Sequence, residues 1–284
     1  AITYTSTDLD EVEPTTAIVA SSLWQTVDFS VDFNDQDGQS GIADLFYLVG
    51  EKEVINNDWT SNGTFGFAYE TFEDNANNWF PVTGTFALNG GAYTFSDINE
   101  GNSNCYLTVD QTAGYTYLYE WDQTITSSSG NQRAGMHFYC DNPNLPNRGN
   151  SYFIYLRETN DKVQIYSVNN DVFNLESDVV FTVNQGQTYN CKTTYNPSTG
   201  LIKVFIDNQL VSQWQDATPL MTGGFISLRT GNCAVDFDGI RVYKSRGSQV
   251  IISADVNSEM SIESESAIPT GYIRSVVIDN AGNW

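Results

Sequence analysis

From residue 27 onward, apolar and polar residues alternate with a period of two along most of the chain, in runs rich in Tyr, Phe, Thr and Val and bounded by Asn, Asp, Gly and Ser. Successive side chains of an extended chain point to opposite faces, so each run predicts a half-buried β-strand. The runs are VDFSVDF (27–33), IADLFYLV (42–49), YTYLYEWDQTI (115–125), RAGMHFYC (133–140), SYFIYLRE (151–158), KVQIYSV (162–168), TYNCKTTY (188–195), GGFISLRT (223–230) and AVDFDGIRVYK (234–244). In LIKVFIDNQLVSQW (201–214) the pair Asp207-Asn208 tolerates positive φ between two apolar runs and predicts a tight hairpin. The closing stretch GYIRSVVIDNAGNW reads as one strand ending in a turn at Asp279-Asn280-Ala281-Gly282. No long helical stripe appears, and the fold class is all-β.

Length and composition set the scale of this fold. The 284 residues predict one large or two ordinary domains, with 40% hydrophobic and 13% aromatic content to fill their cores. With 12 basic against 35 acidic residues the net charge is -23, which repels phosphate backbones and anionic lipid and suits a surface exposed to salt or divalent cations. Nucleic acid and membrane are therefore poor partners, and no apolar run reaches the roughly 18 residues of a membrane span. The start, AITYTST, lacks the basic and apolar regions of a signal peptide, so the chain is expected to be mature or cut from something longer. Cys105, Cys140, Cys191 and Cys233 lie far apart with no C-x-x-C pair, which argues against zinc or redox use and leaves both buried thiols and two disulfides open.

The strands divide into three segments. Residues 1–67 carry an acidic lead, TDLDEVEPTT, and a short strand set; residues 247–284 carry the closing strands and a second acidic run, MSIESESA; residues 68–246 form a self-contained block. In order, that block holds FEDNANNW, VTGTFALNGGAYTF, YLYEWDQTI, AGMHFYCDNPNLPNRGNSYFIYLRETNDKVQIYSV, QTYNCKTTYNPSTGLIKVFIDNQLVSQW and GGFISLRTGNCAVDFDGIRVY. The ordered set resembles concanavalin A-like, laminin G-like jelly-roll modules of the lectin and glucanase superfamily. The flanks, WQTVDFSVDFNDQDGQSGIADLFYLV and YIRSVVIDNAGNW, resemble the first and last strands of a bacterial immunoglobulin-like (Ig-like) domain. Neither flank has the roughly seven strands of a complete sandwich. The expected architecture is thus a jelly-roll β-sandwich (68–246) inserted into a discontinuous Ig-like β-sandwich (1–67 and 247–284), since insertion at a loop costs little closure entropy.

Several chemistries are missing. His137 is the only histidine, which removes two-histidine zinc motifs, and there is no G-x-S-x-G elbow, G-x-G-x-x-G or P-loop. Glucanases of the resembled fold carry three acids spaced E-x-D-x-E or E-x-D-x-x-E on one strand. Here Glu120-Trp121-Asp122 supplies two and the third is absent, so glycoside hydrolysis is the lesser reading.

Binding is the stronger one. With Ala134, Met136, Phe138 and Cys140 inward, and Ile154, Leu156, Val163 and Ile165 with them, alternation leaves His137, Tyr139, Tyr155, Arg157, Gln164 and Tyr166 on the opposite face. Such a face stacks aromatic rings on sugars while the polar groups hydrogen-bond hydroxyls or a carboxylate. The row Tyr115, Tyr117, Tyr119, Trp121 reads instead as core. The resemblance further implies a structural calcium ion shared by acids near the first and last strands of the module, here Glu73, Asp74, Asp236 and Asp238. Asp35-Gln36-Asp37-Gly38 lacks the terminal Glu of a calcium loop and reads as a turn. Together these features predict a non-catalytic, extracellular or cell-surface module, monomeric within a larger secreted bacterial protein, that binds polysaccharide or cell-surface glycan. A purely structural or protein-binding stalk is the main alternative.

Overall fold

The computed structural model describes residues 12–20, 28–52, 59–61, 63–73, 76, 79–252 and 271–284. In chain order its strands are β1 (Thr15–Val19), β2 (Phe29–Gln36), β3 (Ile42–Lys52), β4 (Trp59–Ser61), β5 (Ala68–Glu70), β6 (Phe80–Thr83), β7 (Phe86–Asn89), β8 (Ala92–Phe95), β9 (Ser103–Thr112), β10 (Tyr117–Cys140), β11 (Ser151–Arg157), β12 (Lys162–Asn169), β13 (Val172–Val180), β14 (Thr188–Asn196), β15 (Leu201–Ile206), β16 (Gln209–Gln215), β17 (Thr222–Ser245), β18 (Gln249–Ile252) and β19 (Gly271–Asp279). The described residues outside strands include only two short 3₁₀ turns, in agreement with the all-β expectation.

Two 24-residue strands, β10 and β17, organise the block from residue 68 onward. They pair antiparallel over their whole length, with register shifts between Ile125 and Ser127 and between Ser128 and Arg133. An unpaired residue bends a strand and sharpens its twist, so both strands pass from one sheet into the other here. Sequence alternation had divided each into two, YTYLYEWDQTI with RAGMHFYC and GGFISLRT with AVDFDGIRVYK. The first half of β10 and the second half of β17 lie in a sheet with β14, β15 and β16 on one side and β5, β8 and β7 on the other. Their other halves lie in a second sheet with β11, β12 and β13 on one side and β9 and β6 on the other. We call these the first and second sheets.

The core between them follows the alternation. Tyr117, Tyr119 and Trp121 from the first sheet meet Met136, Phe138, Ile154, Leu156, Ile165 and Leu228 from the second, all at most 1% exposed. Tyr115 does not join its row and is 38% exposed. The hairpin at 207–208 forms as expected, with φ of 50° at Asp207 and 67° at Asn208. All four cysteines are free and buried.

The flanks assemble beside the first sheet. β18 pairs with β2 and β2 with β1, while β19 pairs with β3 from Ile42 to Glu51. The closing strand thus finds its partner in the N-terminal segment. β3 also meets the end of β17 at Tyr47–Lys244 and Phe46–Ser245, so it is β3 rather than β19 that continues the first sheet. A second apolar cluster, with Val31, Phe33, Phe46, Leu48, Ile252 and Ile278, sits over Leu118 and Tyr243 of that sheet. Arg246, one residue past β17, ties the junction. Its guanidinium grips Asp35 at 2.6 and 2.8 Å, donates to Ser275 Oγ and the Phe46 carbonyl, and lies 3.9 Å from the Phe33 ring.

Candidate functional site

The outer face of the second sheet carries a cleft of about 260 Å³ lined by Arg133, Tyr155, Arg157, Tyr166, Phe173 and Arg229. Strand register explains why these six meet. Arg133 of β10 lies opposite Arg157 of β11, and Gly135 lies between Tyr155 on β11 and Arg229 on β17. Gly135 leaves the floor bare: a Cβ there would fall 1.8 Å from the Ile154 carbonyl oxygen. Across it the Tyr155 and Arg229 side chains approach one another. Arg133 sits 5.9 Å over the Tyr155 ring and Arg229 4.9 Å over Phe173, both within cation–π range. Tyr166 packs edge-on to Tyr155 and Phe173.

Polar groups at this cleft are incompletely used. The Tyr155 hydroxyl, on a residue 5% exposed, has no hydrogen-bond partner of good geometry, nor have Nε of Arg157 and Nε of Arg229. Arg229, 7% exposed, is steered by its Nη1, which donates to the Pro146 carbonyl and to Asn147 Oδ1. Burial, reinforced by the nearby Arg133 charge, lowers its pKa. Arg157 is anchored through Asn131 Oδ1. Among the described residues, no carboxylate lies within ion-pairing distance of Arg133, Arg157 or Arg229.

Of the six residues expected on this face, Tyr155, Arg157 and Tyr166 line the cleft. Of the other three, Tyr139 leaves this face, and His137 and Gln164 stay on it without lining the cleft. Tyr139 has φ of 55° at a register shift between His137 and Cys140, which turns its ring into the core against Tyr117 and Tyr195. Cys140 is displaced in turn: burial raises its thiol pKa, and the thiol faces Arg148 and Ser151. His137 does face outward, yet the loop 141–150 covers it and it is fully buried. It stacks on Phe153 at 3.9 Å and shares a 3.1 Å hydrogen bond with Ser151 Oγ. Burial, then the Arg229 and Arg148 charges, hold it well below the usual histidine pKa and therefore neutral. Gln164 is 5% exposed and acts as a brace, accepting from the Tyr166 hydroxyl and donating to Asp178, both at 2.9 Å.

Alternation could have found Arg133 and Arg229, which share parity with Gly135 and Ser227. Only the long-range register brings them to Arg157.

Three of the four expected calcium acids lie among the described residues, and the Glu73 charge adds to the burial that raises the Asp238 pKa. Asp74 lies outside the described residues, Glu73 is exposed, and Asp236 accepts a 2.6 Å hydrogen bond from Thr94. Asp238 accepts from the Gly239 amide, and burial raises its pKa. Among the described residues no group of three or more His, Cys, Asp or Glu side chains is placed to hold a metal ion. Of the segment read as a 35–38 turn, Asp35 and Gln36 still belong to β2, with Asp35 paired to Arg246, and the chain bends only beyond Asp37, which accepts from the Gln39 and Gly41 amides.

The E-x-D carboxylates sit on the first sheet's outer face. Glu120, 7% exposed, accepts from the Tyr243 hydroxyl at 3.0 Å and lies 3.6 Å from Arg241, while Asp122 accepts from Asn190 at 2.8 Å.

No family model and no curated protein matches the chain in sequence. Solved structures do resemble it. A carbohydrate-binding module, CBM66, from Bacillus subtilis aligns at 20% identity over 58% of this chain and 95% of its own, with a TM-score of 0.50. The Bacillus licheniformis β-glucanase aligns at 16% identity over 64% of this chain and 100% of its own, with a TM-score of 0.49. The Emp47p carbohydrate recognition domain aligns at 14% over 64% and 95%, with a TM-score of 0.47. At such identities the likeness concerns the fold alone. The likeness to the CBM66 module agrees with the two-sheet arrangement around β10 and β17: the chain carries an all-β jelly-roll sandwich of the concanavalin A-like fold.

Proposed function

We propose that the jelly roll is a non-catalytic carbohydrate-binding module of a larger secreted bacterial protein, taking a sugar in the cleft of Tyr155, Tyr166 and Phe173. The flanking strands, read as an Ig-like domain split by the insertion, serve as its mount. The observation that carries the reading is the cleft itself, in which aromatic rings stand beside polar groups that lack partners. Rings supply stacking area and the polar groups fix orientation, which is how small-ligand sites divide the work. Its volume, about 260 Å³, lies just below the roughly 300 Å³ at which drug-sized ligands are enclosed, and so suits about one sugar ring.

No Asp or Glu lines the cleft, which leaves no acid–base pair beside a sugar held there, and this favours binding over hydrolysis. Isothermal titration of the whole chain against a panel of neutral and acidic polysaccharides tests the proposal. One or more should bind, and Tyr166→Ala, which leaves the core side of β12 untouched, should weaken that binding about tenfold. Silence across the panel would instead support the stalk alternative. Release of reducing sugar, lost on Glu120→Gln, would restore the glycosidase reading.

A further inference from the structure

We infer that the cleft selects an acidic sugar, with Arg133, Arg157 and Arg229 receiving its oxyanion and Tyr155 donating to it. This inference rests on the proposed carbohydrate-binding role and specifies its ligand.

Charge distribution is the starting point. A chain with 12 basic and 35 acidic residues places three of its seven arginines around one small cleft. Two of its other guanidiniums are matched by carboxylates, Arg246 by Asp35 and Arg241 by Glu120, while the buried Arg148 is held by Ser227 and two carbonyls. At the cleft no carboxylate comes within ion-pairing distance, and Asp171 and Asp178 act on Arg229 and Arg157 only from further off. Arg133 and Arg157 face each other directly across adjacent strands, an arrangement of like charges that disfavours folding unless something negative joins them. Arg133 uses Nη1 on the Asn131 carbonyl and Nη2 on the Gly101 carbonyl, contacts that orient it without neutralising it.

Burial supplies the second observation. Arg229 and Tyr155 are more than nine-tenths buried; their side chains approach one another, yet neither Nε of Arg229 nor the Tyr155 hydroxyl has a partner of good geometry. Leaving such groups unpaired costs free energy that a ligand oxyanion would recover. Behind them, His137 is held neutral and so adds no positive charge of its own, while the buried Arg148 adds to the positive field. Guanidinium forks match planar and tetrahedral oxyanions alike, so the shared chemistry is a sugar bearing either a carboxylate or a sulfate. A neutral sugar would leave all three guanidiniums unmatched.

The test is titration of the whole chain at about 0.15 M salt, where the Debye length of ~8 Å screens the distant acidic surface but not contacts inside the cleft. Polygalacturonate and alginate serve as the carboxylate arm and dextran sulfate as the sulfate arm; methyl-esterified pectin and dextran are the uncharged counterparts. Binding in one acidic arm should be about tenfold or more tighter than to its uncharged counterpart, and the arm that responds names the source of the oxyanion. Arg157→Gln should bring the two within about twofold. Because Arg157 is partly exposed, this variant is expected to fold, and its thermal transition checks that; Tyr155→Phe provides a second, nearly isosteric removal of a donor. Equal affinity for charged and uncharged forms, lost on Tyr166→Ala, would overturn the acidic preference and leave the carbohydrate-binding proposal standing. Acidic preference unmoved by both Arg157→Gln and Tyr155→Phe would overturn the assignment to this cleft. Failure of every polysaccharide, charged or not, would overturn both.

Discussion

The two outer faces of the jelly roll come from the same pair of bent strands and treat charge in opposite ways. On the first sheet, Leu118 and Tyr243 lie under the flanking strands, Glu120 is paired with Arg241 and Tyr243, and Asp122 is held by Asn190. On the second, Arg133, Arg157 and Arg229 stand without carboxylates around an open cleft. Buried ions are tolerated where partners satisfy them, and ions left unmatched cost free energy. The first face is therefore built to hold two parts of the molecule together, and the second carries the uncompensated polar groups expected of a binding site. If that contrast is right, removing a cation should harm one face and relieve the other.

The largest effect belongs to Arg246, where the jelly roll hands the chain to the flanks. Its side chain is fully buried and its partner Asp35 is 9% exposed, with Thr16, Ser275 and the Phe46 carbonyl completing the network. Removing one member of a buried pair leaves the other uncompensated, typically at about 3–5 kcal/mol. Urea unfolding of Arg246→Ala should show a loss of that order, accompanied by faster proteolysis of the flanks; a loss under about 1 kcal/mol would refute the role. Burial alone would raise the Asp35 pKa, but hydrogen bonds from Arg246 and Thr16 and the Arg246 charge outweigh it, so the folded value lies below 3.8. The pair's contribution is complete above the unfolded value and is lost as pH falls through the folded one. Arg246→Ala should erase that acid dependence.

A smaller effect is expected at His137. Its pKa in the folded protein is well below 6.5, lowered first by burial and then by Arg229 and Arg148. Above pH 6.5 neither state is protonated and nothing is lost. As pH falls below that value the unfolded chain binds a proton that the folded protein refuses, and stability declines by up to about 1.4 kcal/mol per pH unit. Urea unfolding at pH 7, 6 and 5 should show this decline in the parent and a shallower one in His137→Gln. Parallel slopes would mean that His137 is charged in the folded state.

Legibility in the sequence divided along similar lines. Alternation within single strands gave the all-β class, the Tyr117–Trp121 core row, the 207–208 hairpin, and three cleft residues, because each depends only on local parity. Two kinds of event defeated it. A bulge at Tyr139 adds one residue to β10 and reverses parity for Tyr139 and Cys140, and nothing local marks it, since the positive φ falls on a tyrosine rather than a glycine. Coverage by a distant loop is the other: the 141–150 segment folds back so that Arg148 donates to Ser227 and closes over His137, turning an outward residue into a buried one. The calcium ion at Glu73, Asp74, Asp236 and Asp238 is implied by the resemblance alone, and parity says nothing about it; Asp236 accepts from Thr94 and Asp238 from a backbone amide. Arg229 reaches the cleft only through pairing of β17 with β10, a partnership nearly a hundred residues apart in sequence.

The smallest effect sharpens the comparison most, because its sign is opposite to that at Arg246. Arg157 faces Arg133 across the β10–β11 pair, and like charges in that position destabilise a sheet by roughly 0.2–1 kcal/mol. Arg157→Gln removes the charge, and its shorter side chain also gives up the Nη2 contact with Asn131. In ligand-free protein at low salt, it should raise the unfolding free energy by about 0.5 kcal/mol, with the gain fading as salt screens the repulsion. An acidic glycan should stabilise the parent and stabilise the variant much less, so the order of the two melting temperatures should reverse once ligand is added. A variant that is less stable than the parent without ligand would show that Arg157 serves the fold in the way Arg246 does. The two faces would then differ in exposure but not in purpose.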